Sequence, residues 1–202
     1  MTQGQSKGSD PRFFPTEYSK VHPGDVLLVE IKGKNPLTRI AGRLIKLGAR
    51  LTRQTHRWNH VIVASHIDDA GIYWGVQGQP GVVGWVDLRP YLKGDAYLAN
   101  EEQPKTEEQR KTILDALTPL VGKASYDWTA IAVSAGVAAG AASSITSLWR
   151  WSGQWGKEVP GALICSALAD YGYERAGLAT PKSDRYCTPA DWATFIERRG
   201  WA

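Results

Sequence analysis

The sequence predicts an α+β fold in a single domain, with an antiparallel sheet packed against a helix that carries a cysteine. Three observations point there. Short runs rich in Val, Ile and aromatic residues follow one another through tight turns in the first half of the chain, the pattern of antiparallel strands. Helical apolar spacing with recognisable cap residues dominates the second half. A chain of 202 residues with 43% hydrophobic and 22% charged residues is long enough for one ordinary core.

The elements follow in order. The opening "MTQGQSKGSD" lacks the apolar h-region of a secretory signal, so residues 1–20 read as a flexible tail ahead of a domain at 21–202. The chain is accordingly expected in the cytoplasm, or delivered by a non-classical phage or lysis route. "GDVLLVEI" is an apolar run opened by Pro-Gly-Asp, a strand after a turn. Within "NPLTRIAGRLIKLGARL", Leu37, Ile40, Ala41, Leu44, Leu47 and Leu51 recur at helical spacing, with Arg39, Arg43, Lys46 and Arg50 on the remaining face. This predicts a basic amphipathic helix over 36–51. "HVIVAS", "IYWGVQ" and "GVVGWVDL" are three strands joined by turn residues, and "DAYLA" is a fourth.

Thr106 and Gln109 form a capping-box pattern before "KTILDALTPLVG", a helix that should stop near Gly122. Residues Thr129 to Leu148 contain no charge and match the length of a membrane span, about 20 residues. Ala, Gly, Ser and Thr fill most of that run, which suits a helix packed closely in protein and argues against a membrane span. The last elements are the helix of "ALICSALADYGYERAGL", ended at Gly177, and a helix begun at Pro189.

Cys165 stands at the front of its helix, where unpaired N–H groups and the positive end of the helix dipole favour thiolate over thiol. The same position places backbone N–H groups beside an oxyanion formed by attack on a carbonyl. On position alone, a buried core cysteine is the stronger reading, since Ile164, Ala167, Leu168 and Ala169 bury this helix in any case. With only two cysteines there is no disulfide framework, and both thiols are expected to be reduced. A possible base changes the balance. A cysteine nucleophile needs an imidazole within reach and a polar group to orient it. His60 opens an apolar strand, and His66, six positions on, falls on the same side by strict alternation. The following strand offers Gln77 and Gln79 as neutral amides beside the imidazole.

Together "HPGDVLLVE", "WNHVIVA", "YWGVQGQPGVVGWVDL", "KASYDW", "LICSALADYGYERAG" and "CTPADW" resemble the circularly permuted branch of the NlpC-type cysteine peptidases. That papain-like group includes YiiX-like proteins and, more distantly, lecithin retinol acyltransferase-like enzymes. The similarity spans roughly residues 22–192 through short motifs, and the histidine strand precedes the cysteine helix, as in that branch. The resemblance implies a permuted papain-like fold with Cys165 as nucleophile, His60 as general base and Gln77 as the group orienting His60. Gln77 departs from the acidic residue often found near that place in the family, and Gln79 is the substitute. Tyr126, in the "SYDW" stretch, resembles the family's Tyr-Asp element. With Gln79, Ser166 and Trp155 it makes up the candidates for substrate binding. In the family that element lies close to the cysteine helix, whereas here 39 positions separate Tyr126 from Cys165. Residues 129–158 therefore read as a helical Ala/Gly/Trp-rich insertion whose Trp149, Trp151 and Trp155 either pack it down or clamp an acyl chain or sugar.

The implied reaction is hydrolysis of an amide or ester carbonyl through an acyl-enzyme, with cell-wall peptide as the substrate class. No metal or cofactor is expected, because His56, His60 and His66 match no common zinc spacing. Two other readings stand beside it. One is a lipid acyl hydrolase or acyltransferase of the same fold. The other is a non-catalytic module that holds an anionic surface through Arg39, Arg43, Lys46 and Arg50. From Lys32 to Arg57 eight basic residues occur with no acid, which suits anionic substrates or surfaces and gives no specific nucleic-acid motif.

Overall fold

The structure is a computed structural model that describes residues 20–31, 57–79, 82–93, 97–123, 165–181 and 187–202. Five strands, β1 (Val26–Val29), β2 (His60–Ile67), β3 (Tyr73–Gln79), β4 (Val82–Asp87) and β5 (Tyr97–Ala99), form one antiparallel sheet in the order β4-β3-β2-β1-β5. Three helices accompany it among the described residues: α1 (Glu107–Leu117), α2 (Cys165–Arg175) and α3 (Pro189–Arg199). The α+β class with an antiparallel sheet is therefore as the sequence predicts. The basic 36–51 segment and the 129–158 run lie outside the described residues.

The unbroken apolar run of β1 has a simple cause. Val26 and Leu28 join the cluster between sheet and helices, whereas Leu27 and Val29 join a second cluster on the opposite face with Ile62, Ala64, Tyr73 and Leu88. All four residues of β1 are fully buried, so period-2 alternation of polarity has no reason to appear. Each apolar side chain so placed contributes on the order of 2 kcal/mol.

Caps define the helices. Thr106 accepts from the Gln109 N–H at 3.2 Å while the Gln109 side chain accepts from the Thr106 N–H at 2.9 Å. The same reciprocal box joins Thr188 to Asp191 ahead of α3, with Pro189 pre-set for the first turn. Helix α2 lies on β2 and β3 and against α1. Its approach to α1 depends on Gly172, where a Cβ would come within 3.2 Å of Ile113 and Leu117 side-chain carbons. At the other end of α2, Tyr173 stacks edge-on against Trp192 of α3, with ring centroids 5.2 Å apart. These contacts set the direction of α2 and hence where its first residue points. Among the described residues, no helix is long and apolar enough to cross a membrane.

Candidate active site

Helix α2 begins at Cys165, and its first residue meets the start of β2, where His60 stands. The two side chains are close enough that each shifts the other's pKa. The other ring nitrogen of His60, Nε2, lies 2.7 Å from Gln77 Oε1 on β3. An amide oxygen only accepts, so Nε2 carries the proton and Nδ1 is left with its lone pair toward the thiol. The neutral amide thereby selects the tautomer a general base requires. All three side chains are buried, with Cys165 3%, Gln77 7% and His60 8% exposed, so their mutual interactions are weakly screened.

Charge at this site is set by competition. Burial pushes the Cys165 thiol up, but the positive charge of His60, its hydrogen bond, and backbone N–H groups of Val61 and Ser166 outweigh it, so the thiol lies below its usual range. For His60, burial acts downward, yet the Cys165 charge and hydrogen bonds from Cys165 and Gln77 hold its pKa above the usual value. Each partner favours the charged form of the other, which is the electrostatics of a thiolate–imidazolium pair.

Several sequence expectations meet their geometry here. The structure brings Cys165, His60 and Gln77 together, and Gln77 sits within β3, since that strand continues to Gln79. Gln79 is opposite Val82 at the strand end, and the imidazole's amide partner is Gln77. The Ser166 hydroxyl is fully buried and donates to the Cys187 carbonyl, so it braces the cysteine helix and does not face a substrate. The Ser166 backbone N–H, in contrast, borders the sulfur. His60 and His66 do not share an environment. A register shift between Ala64 and Ile67 interrupts the alternation, and His66 is exposed, edge-on to Trp85 with centroids 5.2 Å apart. Tyr126, Trp155, His56 and the basic residues Arg39, Arg43, Lys46 and Arg50 lie outside the described residues. Among the described residues both cysteines are buried and outside any disulfide, and no group of three or more metal-ligating side chains forms.

One buried group gives no signal in the sequence pattern. Asp170, on α2, is buried toward α3, beside Trp192 and Cys187. Burial raises its pKa to about 8, against lowering contributions from Cys187 and Trp192 and with further raising by Glu174 and Asp191. An aspartate in the middle of an amphipathic helix reads as solvent-facing, which is why spacing alone does not single it out.

Comparison with protein-family models, with curated proteins and with solved structures returned no match.

Proposed function

We propose that this protein is a cysteine hydrolase that cleaves an amide or ester bond, with a permuted papain-like arrangement in which the histidine strand precedes the cysteine helix. The observation that carries the reading is the linked set Cys165–His60–Gln77, each member buried, with His60 Nε2 2.7 Å from Gln77 Oε1 and Cys165 and His60 each favouring the other's charged form. Its order along the chain, base before nucleophile, matches the resemblance drawn from the sequence motifs.

In this mechanism the Cys165 thiolate adds to the carbonyl carbon and the carbonyl π pair moves onto oxygen. Collapse of the tetrahedral species expels the amine or alcohol, which takes its proton from the His60 imidazolium. A thioester remains on Cys165. Neutral His60 then removes a proton from water as it attacks the thioester; collapse releases the acid and returns the thiolate. Gln77 holds the ring in the productive tautomer throughout and changes no protonation state. A peptide amide, as in cell-wall peptide, is the proposed substrate class.

The test begins without substrate. Alkylation of Cys165 and Cys187 by iodoacetamide from pH 4 to 10, mapped by mass spectrometry, should show Cys165 titrating below the free-thiol value of about 8.5. His60→Ala should raise that apparent value, and Cys165→Ala should abolish hydrolysis of peptide amides. A Cys165 that titrates as a free thiol regardless of His60 overturns the catalytic reading.

A further inference from the structure

Strands β2 and β3 do not pair over their whole length. Their Cα partners run from Val63↔Val76 to Ile67↔Tyr73, whereas β3 stays on β4 out to Gln79↔Val82. At its His60 end β2 remains on β1 through Val29↔His60. The sheet therefore parts between β2 and β3 at the place where α2 delivers Cys165.

The direction of the Val61 N–H follows from the ladder. Ala64 donates its N–H to the Asp25 carbonyl on the β1 side, at 2.8 Å. Successive residues of a strand turn their N–H groups to opposite sides, so those of Val63 and Val61 face β3. Val63 has Val76 opposite, but Val61 lies beyond the pairing. Val61 is fully buried, and its N–H acts on the Cys165 sulfur so as to lower the thiol's pKa. A buried N–H requires an acceptor, and a thiol is a poor one while a thiolate is a good one. The bond is therefore strongest when the sulfur is charged.

We propose that Val61 is a catalytic residue through its backbone, its N–H released from the sheet by the early parting of β3 so that it holds the negative charge on Cys165 Sγ before attack. The proposal rests on the reading of Cys165 as nucleophile and adds a source of thiolate stabilisation independent of His60. It also gives the parting of the strands a purpose. Closing the ladder at Val61 would satisfy the N–H with a carbonyl and deprive the sulfur of a fixed dipole that needs no reorganisation when charge develops.

The decisive experiment replaces the Val61 amide by an ester, using α-hydroxyisovaleric acid introduced by nonsense suppression in the full chain. Shape is nearly kept; the N–H is lost and the preceding carbonyl becomes a weaker acceptor, a change that the Val63 ester also makes. At a pH below the Cys165 pKa, the iodoacetamide rate should fall about tenfold, the size of one charge-assisted hydrogen bond. The same ester at Val63 removes an N–H from the paired part of the ladder and should lower stability without that fall. A second measurement needs no backbone change: the Val61 amide resonance should titrate with the Cys165 thiol and lose that step in Cys165→Ala. An unchanged alkylation rate in the folded Val61 ester, or a Val61 amide that does not follow the thiol, overturns the proposal. Either result leaves the His60→Ala comparison to decide separately whether Cys165 and His60 act as a pair.

Discussion

The two ends of helix α2 hold buried polar clusters of opposite character. At its first residue, Cys165 stands with His60 and Gln77, a thiol and an imidazole whose charges depend on one another beside a neutral amide that holds the ring. Two turns on, Tyr173 enters a network built around a buried ion pair. Asp25 Oδ1 accepts from Lys105 at 2.9 Å and from Arg110 at 2.8 Å, and its Oδ2 accepts from the His22 N–H at 2.8 Å. Asn100 accepts from the Val26 N–H and donates to Gln103 and to the Tyr173 hydroxyl, which in turn donates to the Gly24 carbonyl. That second cluster ties β1, β5, α1 and α2 together, while the first leaves a thiol and an imidazole able to exchange a proton. One helix is thus anchored by a saturated network and presents an unsaturated one. The bonds at Tyr173 thereby fix the helix that carries Cys165.

The sharpest way to break this contrast is Asp25→Ala. It leaves the fully buried Lys105 side chain and the nearly buried Arg110 without their carboxylate. Stability should fall by about 3–5 kcal/mol in urea unfolding, a large share of what a domain of this size has. Asp170 offers a second probe, between α2 and α3. Its folded pKa of about 8 exceeds the ordinary carboxyl value of 3.8, so the unfolded chain releases this proton first. The stability it contributes is complete below about pH 4 and is lost as the pH climbs to about 8, at roughly 1.4 kcal/mol per pH unit within that window. Asp170→Asn should remove this slope, measured as unfolding free energy against pH, and should leave the protein more stable than wild type at pH 8.

Gln77→Ala tests the reactive end. Loss of the bond to His60 Nε2 frees the ring, and under the proposed hydrolase reading peptide-amide hydrolysis should drop about 10- to 100-fold, the worth of one hydrogen bond to a charged group. Global stability should change far less than in Asp25→Ala; an equal loss would erase the distinction between the two ends. The smallest effect belongs to Ser166→Ala, which leaves the Cys187 carbonyl without its hydroxyl donor. A loss of about 1 kcal/mol in thermal or urea unfolding is expected, with the Cys165 titration little altered because the Ser166 backbone N–H stays in place.

Much of this was legible along the chain. The strands at "VLLV", "HVIVAS" and "YWGVQGQ" announce themselves by β-branched and aromatic content, and Thr106 with Gln109 forms the capping box its spacing predicts. Cys165 and His60 are visible as a helix-front cysteine and a histidine where an apolar strand begins. The His66 expectation fails because one register shift, invisible in a one-dimensional pattern, moves a residue out of alternation. Asp25 gives no sign that its partners are Lys105 and Arg110, since 85 positions separate it from Arg110.

The sequence by itself determined the local elements, because turn residues, caps and apolar periodicity act over a few neighbours. It also determined which residues have the chemistry of a nucleophile and a base. Only the tertiary structure decided that Gln77 Oε1 is the acceptor at His60, that the Ser166 hydroxyl turns inward, that Asp170 is sealed between helices, and that β3 leaves β2 before Val61. Those outcomes depend on the angle at which whole elements pack and on where a ladder stops, quantities summed over contacts distant in the chain and recorded at no single position of it.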